Sequence, residues 1–319
     1  MKTKQLGKTD LQISPIVFGG SVFGWTLDER ASLAMLDDLI DRGFTTIDTA
    51  DWYSRWAEGN QGGESETIIG KWMTERRNRD KVTLITKVGH DMGQGHHDLS
   101  ADYLARSCED SLRRLQTDRI DLYFSHFDDE RTEPEETLRA HDKLVKEGKV
   151  RYIGASNVSA ERIEESLRIS QANGLASYQV VQPEYNLIAR EPFESSYAPL
   201  IRKHHFGAIT YFALASGFLT GKYHSESDIN KSRRGGGMKR YLCDDARMKT
   251  LRSLEHVAAD HQMQPAAIAL AWVMANSDVT APIASATKSK HLDAFEQAVS
   301  LDLSENDCHE LVDAAAVRE

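Results

Sequence analysis

Apolar positions along the chain follow two alternating periods. Short runs rich in Val, Ile, Thr and aromatic residues recur as IVFGG, TTIDTA, VTLITKVG, IDLYFSHF, VRYIGASN, YQVVQPEYN, AITYFAL and TAPIASA, and each reads as a strand. Between them the apolar residues step at helical spacing. In SADYLARSCEDSLRRL, Leu104, Cys108, Leu112 and Leu115 make one apolar stripe behind Ser100, an expected N-cap. In PEETLRAHDKLVKEG, Pro134 suits a first turn and Gly148 a stop. A short hairpin, KTKQLG with LQISPI, precedes the first run. With no linker-like stretch to divide the chain, the alternation predicts parallel βα units in a single domain over residues 1–319. Eight units predict an α/β fold of the closed (β/α)8 TIM-barrel type with an N-terminal hairpin, and a doubly wound open sheet is the alternative.

The interval between AITYFAL and TAPIASA is longer than the others. Its segment KYHSESDINKSRRGGGMKRYL, residues 222–242, reads as a long loop inserted before the last strand. Arg233, Arg234, Lys239 and Arg240 interleave there with Gly235, Gly236 and Gly237. Such a loop suits closure over an anionic ligand, or serves as solvated surface.

Composition removes some function classes. The 40% of hydrophobic residues can build a large core, and the net charge of −10 argues against a general nucleic-acid surface. Without a run of 18 apolar residues or an apolar start, the chain is expected to be soluble and cytoplasmic, with no membrane partner. Oligomeric state is not legible. Cys108, Cys243 and Cys308 are widely spaced and suggest reduced thiols rather than a disulfide framework or a zinc site. The adjacent pairs His96–His97 and His204–His205 lack the i, i+4 spacing of a helical metal site, so no catalytic metal is expected.

Polar residues recur late in the apolar strands, where a barrel of this kind builds its active site. Asp48 sits in TTIDTA, Lys87 ends LITK, His126 ends LYFSH, Ser156 and Asn157 end YIGASN, and Gln182 follows YQVV. A carboxylate inside a strand covered on both faces is costly alone, and Lys87 of the next strand can pair with it. Tyr53 lies just beyond, where an ammonium is expected to lower its phenol toward the proton-transfer range and His126 to share the proton. The quartet suits protonation of a carbonyl oxygen while something else delivers a nucleophile to the carbon.

These residues resemble the aldo-keto reductase superfamily. GFTTIDTADWY is similar to its first signature, TKVG, LYFSHFD and GASN follow in family order, and QPEYN and LASGFLTGKY complete a match over nearly the whole chain. The resemblance implies that Asp48, Tyr53, Lys87 and His126 are a catalytic tetrad and that NADPH supplies hydride to a small carbonyl substrate. It implies that Ser156, Asn157 and Gln182 hold the carboxamide and Tyr211 stacks on the nicotinamide. Leu214, Ser216, Gly217 and Lys222 would follow the pyrophosphate, with Arg233 of the inserted loop as a further cofactor contact. No GxGxxG follows a strand, so Rossmann-type binding is unsupported.

The chain departs from the family pattern at Phe212-Ala213, where many members have Ser-Pro, at Ser285, where Gly is usual, and at His291, Ala294 and Phe295 near the adenosine end. NADPH over NADH is still expected, from Ser285, Thr287, Lys288 and His291, with Lys290 beside them and no carboxylate before Asp293. Trp25, Trp52 and Trp56 are candidates for a substrate pocket. Two other functions compete. One is a cofactor-binding regulatory or redox-sensing protein with little turnover, similar to potassium-channel β subunits, and the other is a Schiff-base aldolase with Lys87 as nucleophile.

Overall fold

The computed structural model describes residues 1–316. Eight strands pair in parallel into a closed barrel: β3 (Val17–Gly19), β4 (Thr46–Asp48), β5 (Thr83–Val88), β6 (Ile120–Ser125), β7 (Val150–Ser156), β8 (Tyr178–Gln182), β9 (Gly207–Thr210) and β10 (Ala281–Ala284), which closes on β3. The eight apolar runs are these strands, and the open-sheet alternative falls. β1 (Lys4–Gln5) and β2 (Gln12–Ile13) form the antiparallel hairpin. Its Leu6, Leu11 and Ile13 pack with Val17, Ile85, Leu122, Phe124, Val180, Ile209 and Ile283, so the hairpin plugs one end of the barrel lumen.

Helices α1 (Glu29–Asp41), α2 (Glu64–Arg76), α3 (Ala101–Leu115), α4 (Pro134–Lys146), α5 (Ala160–Asn173) and α6 (Ala198–His204) separate successive strands from β3 to β9. Local chemistry sets several boundaries. Pro134 opens α4, acids fill its first turn and Lys146 its last, and Gly148 follows at φ 73°. Ser159 caps α5 by accepting from the Arg162 amide at 3.1 Å, and Gly174 ends it in the left-handed region. The apolar stripe of α3 is buried as expected, but Ser100 does not cap it. Its hydroxyl donates to Asp98 at 2.6 Å instead.

Residues 222–242 are not a structureless loop. They carry two short 3-10 turns, Glu226–Lys231 and Gly235–Met238, and one turn of helix, α7 (Lys239–Leu242). The helices α8 (Asp245–Asp260) and α9 (Pro265–Ala275) lead to β10, and α10 (Asp293–Ser300) and α11 (Glu305–Ala316) follow it.

Gly70 lets α2 approach the end of α3, because a Cβ there would stand 2.2 Å from the Arg114 carbonyl and 2.6 Å from the Leu115 carbonyl carbon. Both neighbours are backbone and cannot rotate aside. Gly→Ala inside a helix ordinarily stabilises, yet Gly70→Ala is expected to cost about 1–3 kcal/mol through overpacking. A lower urea midpoint at unchanged slope would show it, and a raised midpoint would mean that α2 and α3 separate freely.

Candidate active site

Strand register brings the polar residues together. Asp48 pairs with Ile85, so Lys87, two residues further along β5, lies on the same face one step nearer the C-terminal rim. Lys87 in turn pairs with Phe124, and Ser156 with Gln182. The apolar layer of Ile85 and Phe124 therefore gives way to a polar layer at the strand ends.

There the Lys87 ammonium donates to Asp48 Oδ2 at 2.7 Å, to the Thr49 carbonyl at 2.8 Å and to the Tyr53 hydroxyl at 2.7 Å. Lys87 and Asp48 are wholly inaccessible to solvent. Tyr53 donates to Asp48 Oδ2 at 3.1 Å, and the Gln182 amide donates to Asp48 Oδ1 at 2.9 Å. The carboxylate is thus saturated by an ammonium, a phenol and an amide, which is the condition for keeping a buried ion pair.

The field on Tyr53 differs from the expectation. Burial, and then the negative charge of Asp48, hold the phenol well above its ordinary value. Lys87 does not invert this, because the ammonium is shared with Asp48, and burial itself draws the lysine below its usual range. Tyr53 is therefore held as a proton-bearing phenol. His126 packs against the Tyr53 ring at 6.0 Å between centroids without hydrogen-bonding to it, and its Nδ1 has no partner. Burial, aided by Lys87, keeps its imidazole neutral.

From Tyr53 a cavity of about 410 Å³ runs along Tyr211, Leu214, Ser216, Gly217 and Lys222 to Arg233, Ser285, Thr287 and His291. Its cations are Lys222, Arg233, Arg234 and Lys290, and among the described residues no carboxylate lines it. Lys288, expected beside them, is not part of the lining, and its neighbour Lys290 takes that place. Leu214 (φ −103°, ψ 17°) is followed by Ala215 and Ser216 at φ 45° and 57°. The Ala215 and Gly217 amides close this turn on the Phe212 and Leu214 carbonyls, at 2.7 Å and 2.8 Å.

The other expected residues sit beside the cavity rather than along it. Ser156 donates to the Gln182 carbonyl at 2.9 Å. Asn157, at φ 52°, donates to the His126 carbonyl and accepts from the Tyr211 hydroxyl at 2.8 Å. Gln182, expected to face a cofactor, spends one amide proton on Asp48. Trp25, Trp52 and Trp56 form a cluster: Trp56 lies 5.4 Å from Trp25, 4.8 Å from Trp52 and 6.2 Å from Tyr53. His90 stacks on Trp52 at 3.9 Å. Trp56 and, in the cavity lining, Phe212 are two of the three exposed large hydrophobic side chains among the described residues, which suits an apolar ligand near Tyr53.

Sequence reasoning missed the layer behind the site. Asp51 is buried with Oδ1 unpaired, and burial, then Glu66, raise its carboxyl to about 8. Glu66 is itself buried, bonded to Arg114 at 2.7 Å and to Thr86 at 2.6 Å. An acid at position 66 of an otherwise apolar helix face was the available signal.

Comparison with known proteins gives a consistent picture. A family model described as the Aldo/keto reductase family matches residues 15–316. A probable voltage-gated potassium channel subunit beta of Oryza sativa subsp. japonica is 32% identical, over 92% of this chain and 89% of the relative. The uncharacterized oxidoreductase YrpG of Bacillus subtilis (strain 168) is 32% identical over 95% and 92%. A norsolorinic acid reductase of Aspergillus flavus is 31% identical over 95% of this chain and 78% of the relative.

Proposed function

Because the chain belongs to the aldo/keto reductase family, which generally uses NAD(P)H, we propose that it is an NADPH-dependent carbonyl reductase with Tyr53 as general acid. The observation that carries this reading is the buried Lys87–Asp48–Tyr53 arrangement at the head of a cavity lined by cations without carboxylates. The cavity suits a dinucleotide: Lys222 beside Ser216 and Gly217 suits a pyrophosphate, and Tyr211 offers a flat wall in the same cavity as Tyr53. When bound, the cofactor supplies hydride. Tyr53 gives its phenolic proton to the carbonyl oxygen, Lys87 then faces the developing phenolate at hydrogen-bond distance, and Asp48 holds Lys87. His126, neutral and packed on the Tyr53 ring, would orient the carbonyl.

An NADPH-oxidation screen over aldehydes, ketones, 2-dicarbonyls and sugars tests this function. No oxidation of bound NADPH by any of them would defeat it. A second reading, a cofactor-holding regulatory protein, is favoured by the relatives named as probable potassium channel β subunits. Slow cofactor exchange with a single turnover would select that reading.

NADPH is expected to be used better than NADH, since the cavity's far end holds Lys290, Thr287 and His291 with no acid to repel a 2′-phosphate. A charge-assisted hydrogen bond to the phosphate is worth about 1.5–3 kcal/mol, so Lys290→Ala should cut the NADPH/NADH ratio of kcat/KM roughly tenfold or more. Lys288→Ala should move it less. Equal use of both cofactors by the wild type would refute the assignment, and the reverse order of the two variants would return the role to Lys288.

A further inference from the structure

Among the described residues no carboxylate lines the far end of the cavity, yet two stand directly behind it. Ala294 and Phe295 of α10 line the cavity, and Asp293 and Glu296 flank them along the chain. His291 is drawn below its ordinary value by burial and by Lys222, Lys288 and Lys290, and Asp293 opposes them. The field of Asp293 therefore reaches the cavity lining.

Both acids are held by one residue of another helix. The Arg42 guanidinium donates from Nη1 to Asp293 Oδ1 at 2.8 Å and to Glu296 Oε2 at 2.6 Å. It donates also from Nε to Asp38 Oδ1 at 2.9 Å and from Nη2 to Ser289 Oγ at 3.3 Å. Arg42 is the C-cap of α1, where a cation suits the helix dipole, and Gly43 at φ 86° then turns the chain toward β4. Its side chain is 21% exposed, against 50% for Asp293 and 48% for Glu296, so the guanidinium is the sheltered centre of the group.

The turn beside it has little other anchorage. Thr287, Lys288, Ser289 and Lys290 are exposed, and Leu292 is the first buried side chain after them. Among the described residues Asp293 and Glu296 form ion pairs with Arg42 alone, and neither Lys288 nor Lys290 pairs with an acid. Lys290 and Asp293 are three residues apart, the spacing at which opposite charges meet along a helical turn. Without Arg42, Asp293 would be free to turn to Lys290 and occupy it.

We propose that Arg42 is a positioning residue for cofactor choice: by engaging Asp293 and Glu296 and tying Ser289 to α1, it leaves the turn at Lys288–His291 cationic and open to a 2′-phosphate. This rests on the reading of the cavity's far end as the adenosine end. Arg42 is not part of the cavity lining and acts through the turn. Removing its charge leaves Asp38, Asp293 and Glu296 without their shared cation, so the penalty falls on the 2′-phosphate and spares the rest of the nucleotide.

Adenosine 2′,5′-bisphosphate and adenosine 5′-monophosphate are the probes, titrated by calorimetry with no carbonyl present. Wild type should bind the bisphosphate more tightly. Arg42→Ala should lower that preference roughly fivefold or more, the scale of an exposed charge interaction, and Arg42→Lys should retain part of it. A ratio of two ligands on one protein is independent of the fraction folded, so lost stability does not imitate the result. Adding Asp293→Asn and Glu296→Gln to Arg42→Ala should restore the preference to within about twofold of wild type, which a packing role alone would not do. A preference unchanged in Arg42→Ala, or lowered and not restored by neutralising the two acids, overturns the proposal. Should Arg42→Ala not fold, Asp293→Asn with Arg42 in place reads the same charge from the other side, and a preference that does not rise overturns it equally. Wild-type indifference to the 2′-phosphate would defeat the NADPH reading and the role of Arg42 together, whereas a wild-type preference that Arg42→Ala keeps would defeat only the latter.

Discussion

Tyr53→Phe is expected to reduce kcat for carbonyl reduction by roughly 10²-fold or more, with NADPH affinity close to that of wild type. The substitution removes one oxygen and leaves the ring's packing against His126 and Trp56. What disappears is the one proton-bearing group, among the described residues, that meets both Lys87 and Asp48 and also lines the cavity. The pH dependence follows from the raised phenol. The protonated form serves reduction, is present below the folded pKa and is lost as pH rises through it, so reduction by wild type should stay level from about pH 6 to 9. Alcohol oxidation needs the deprotonated form and should rise with pH over the same interval. Near-normal reduction by Tyr53→Phe would remove Tyr53 from the chemistry.

The barrel was legible because strand and helix carry different apolar periods, and each of the eight runs supplied one strand. The pairing of Asp48 with Lys87 was legible for the same reason: two charges late in consecutive parallel strands must meet inside a closed lumen, and neither can stay there alone. Side-chain direction was not. Gln182 stands at the expected strand end, yet its amide turns inward to Asp48, because the carboxylate's second oxygen would otherwise be buried without a donor. The field on Tyr53 depends on how one ammonium is divided between a phenol and a carboxylate, which spacing in the chain does not encode. Lys288 and Lys290 are equivalent in sequence, and only the 3-10 turn at Ser289–His291 decides which one borders the cavity. Arg234 lay in a segment without periodicity, so its stacking on Trp25, 209 positions earlier, was beyond reach, as was the contact of Arg234 with Ser21, 213 positions away.

Lys87→Met is expected to damage both turnover and stability, and the two losses can be separated. The Lys87–Asp48 pair is wholly buried, so removing the ammonium leaves one carboxylate without a counter-charge. Breaking a buried pair from one side costs about 3–5 kcal/mol, far more than the loss of a surface ion pair. The Tyr53 hydroxyl and the Gln182 amide still donate to Asp48, which keeps the carboxylate bonded without supplying charge. Adding Asp48→Asn makes the site neutral again. The double variant should therefore regain most of the lost stability, seen as recovery of the denaturant midpoint. Turnover should not return with it. With Lys87 absent, the phenolate formed when Tyr53 gives up its proton has no cation at hydrogen-bond distance, and its pKa moves still further from the working range. Reduction should fall at least as far as in Tyr53→Phe, roughly 10²-fold or more, in the single and the double variant alike. A double variant that regained both stability and activity would show that Lys87 only neutralises Asp48 and takes no part in the proton transfer.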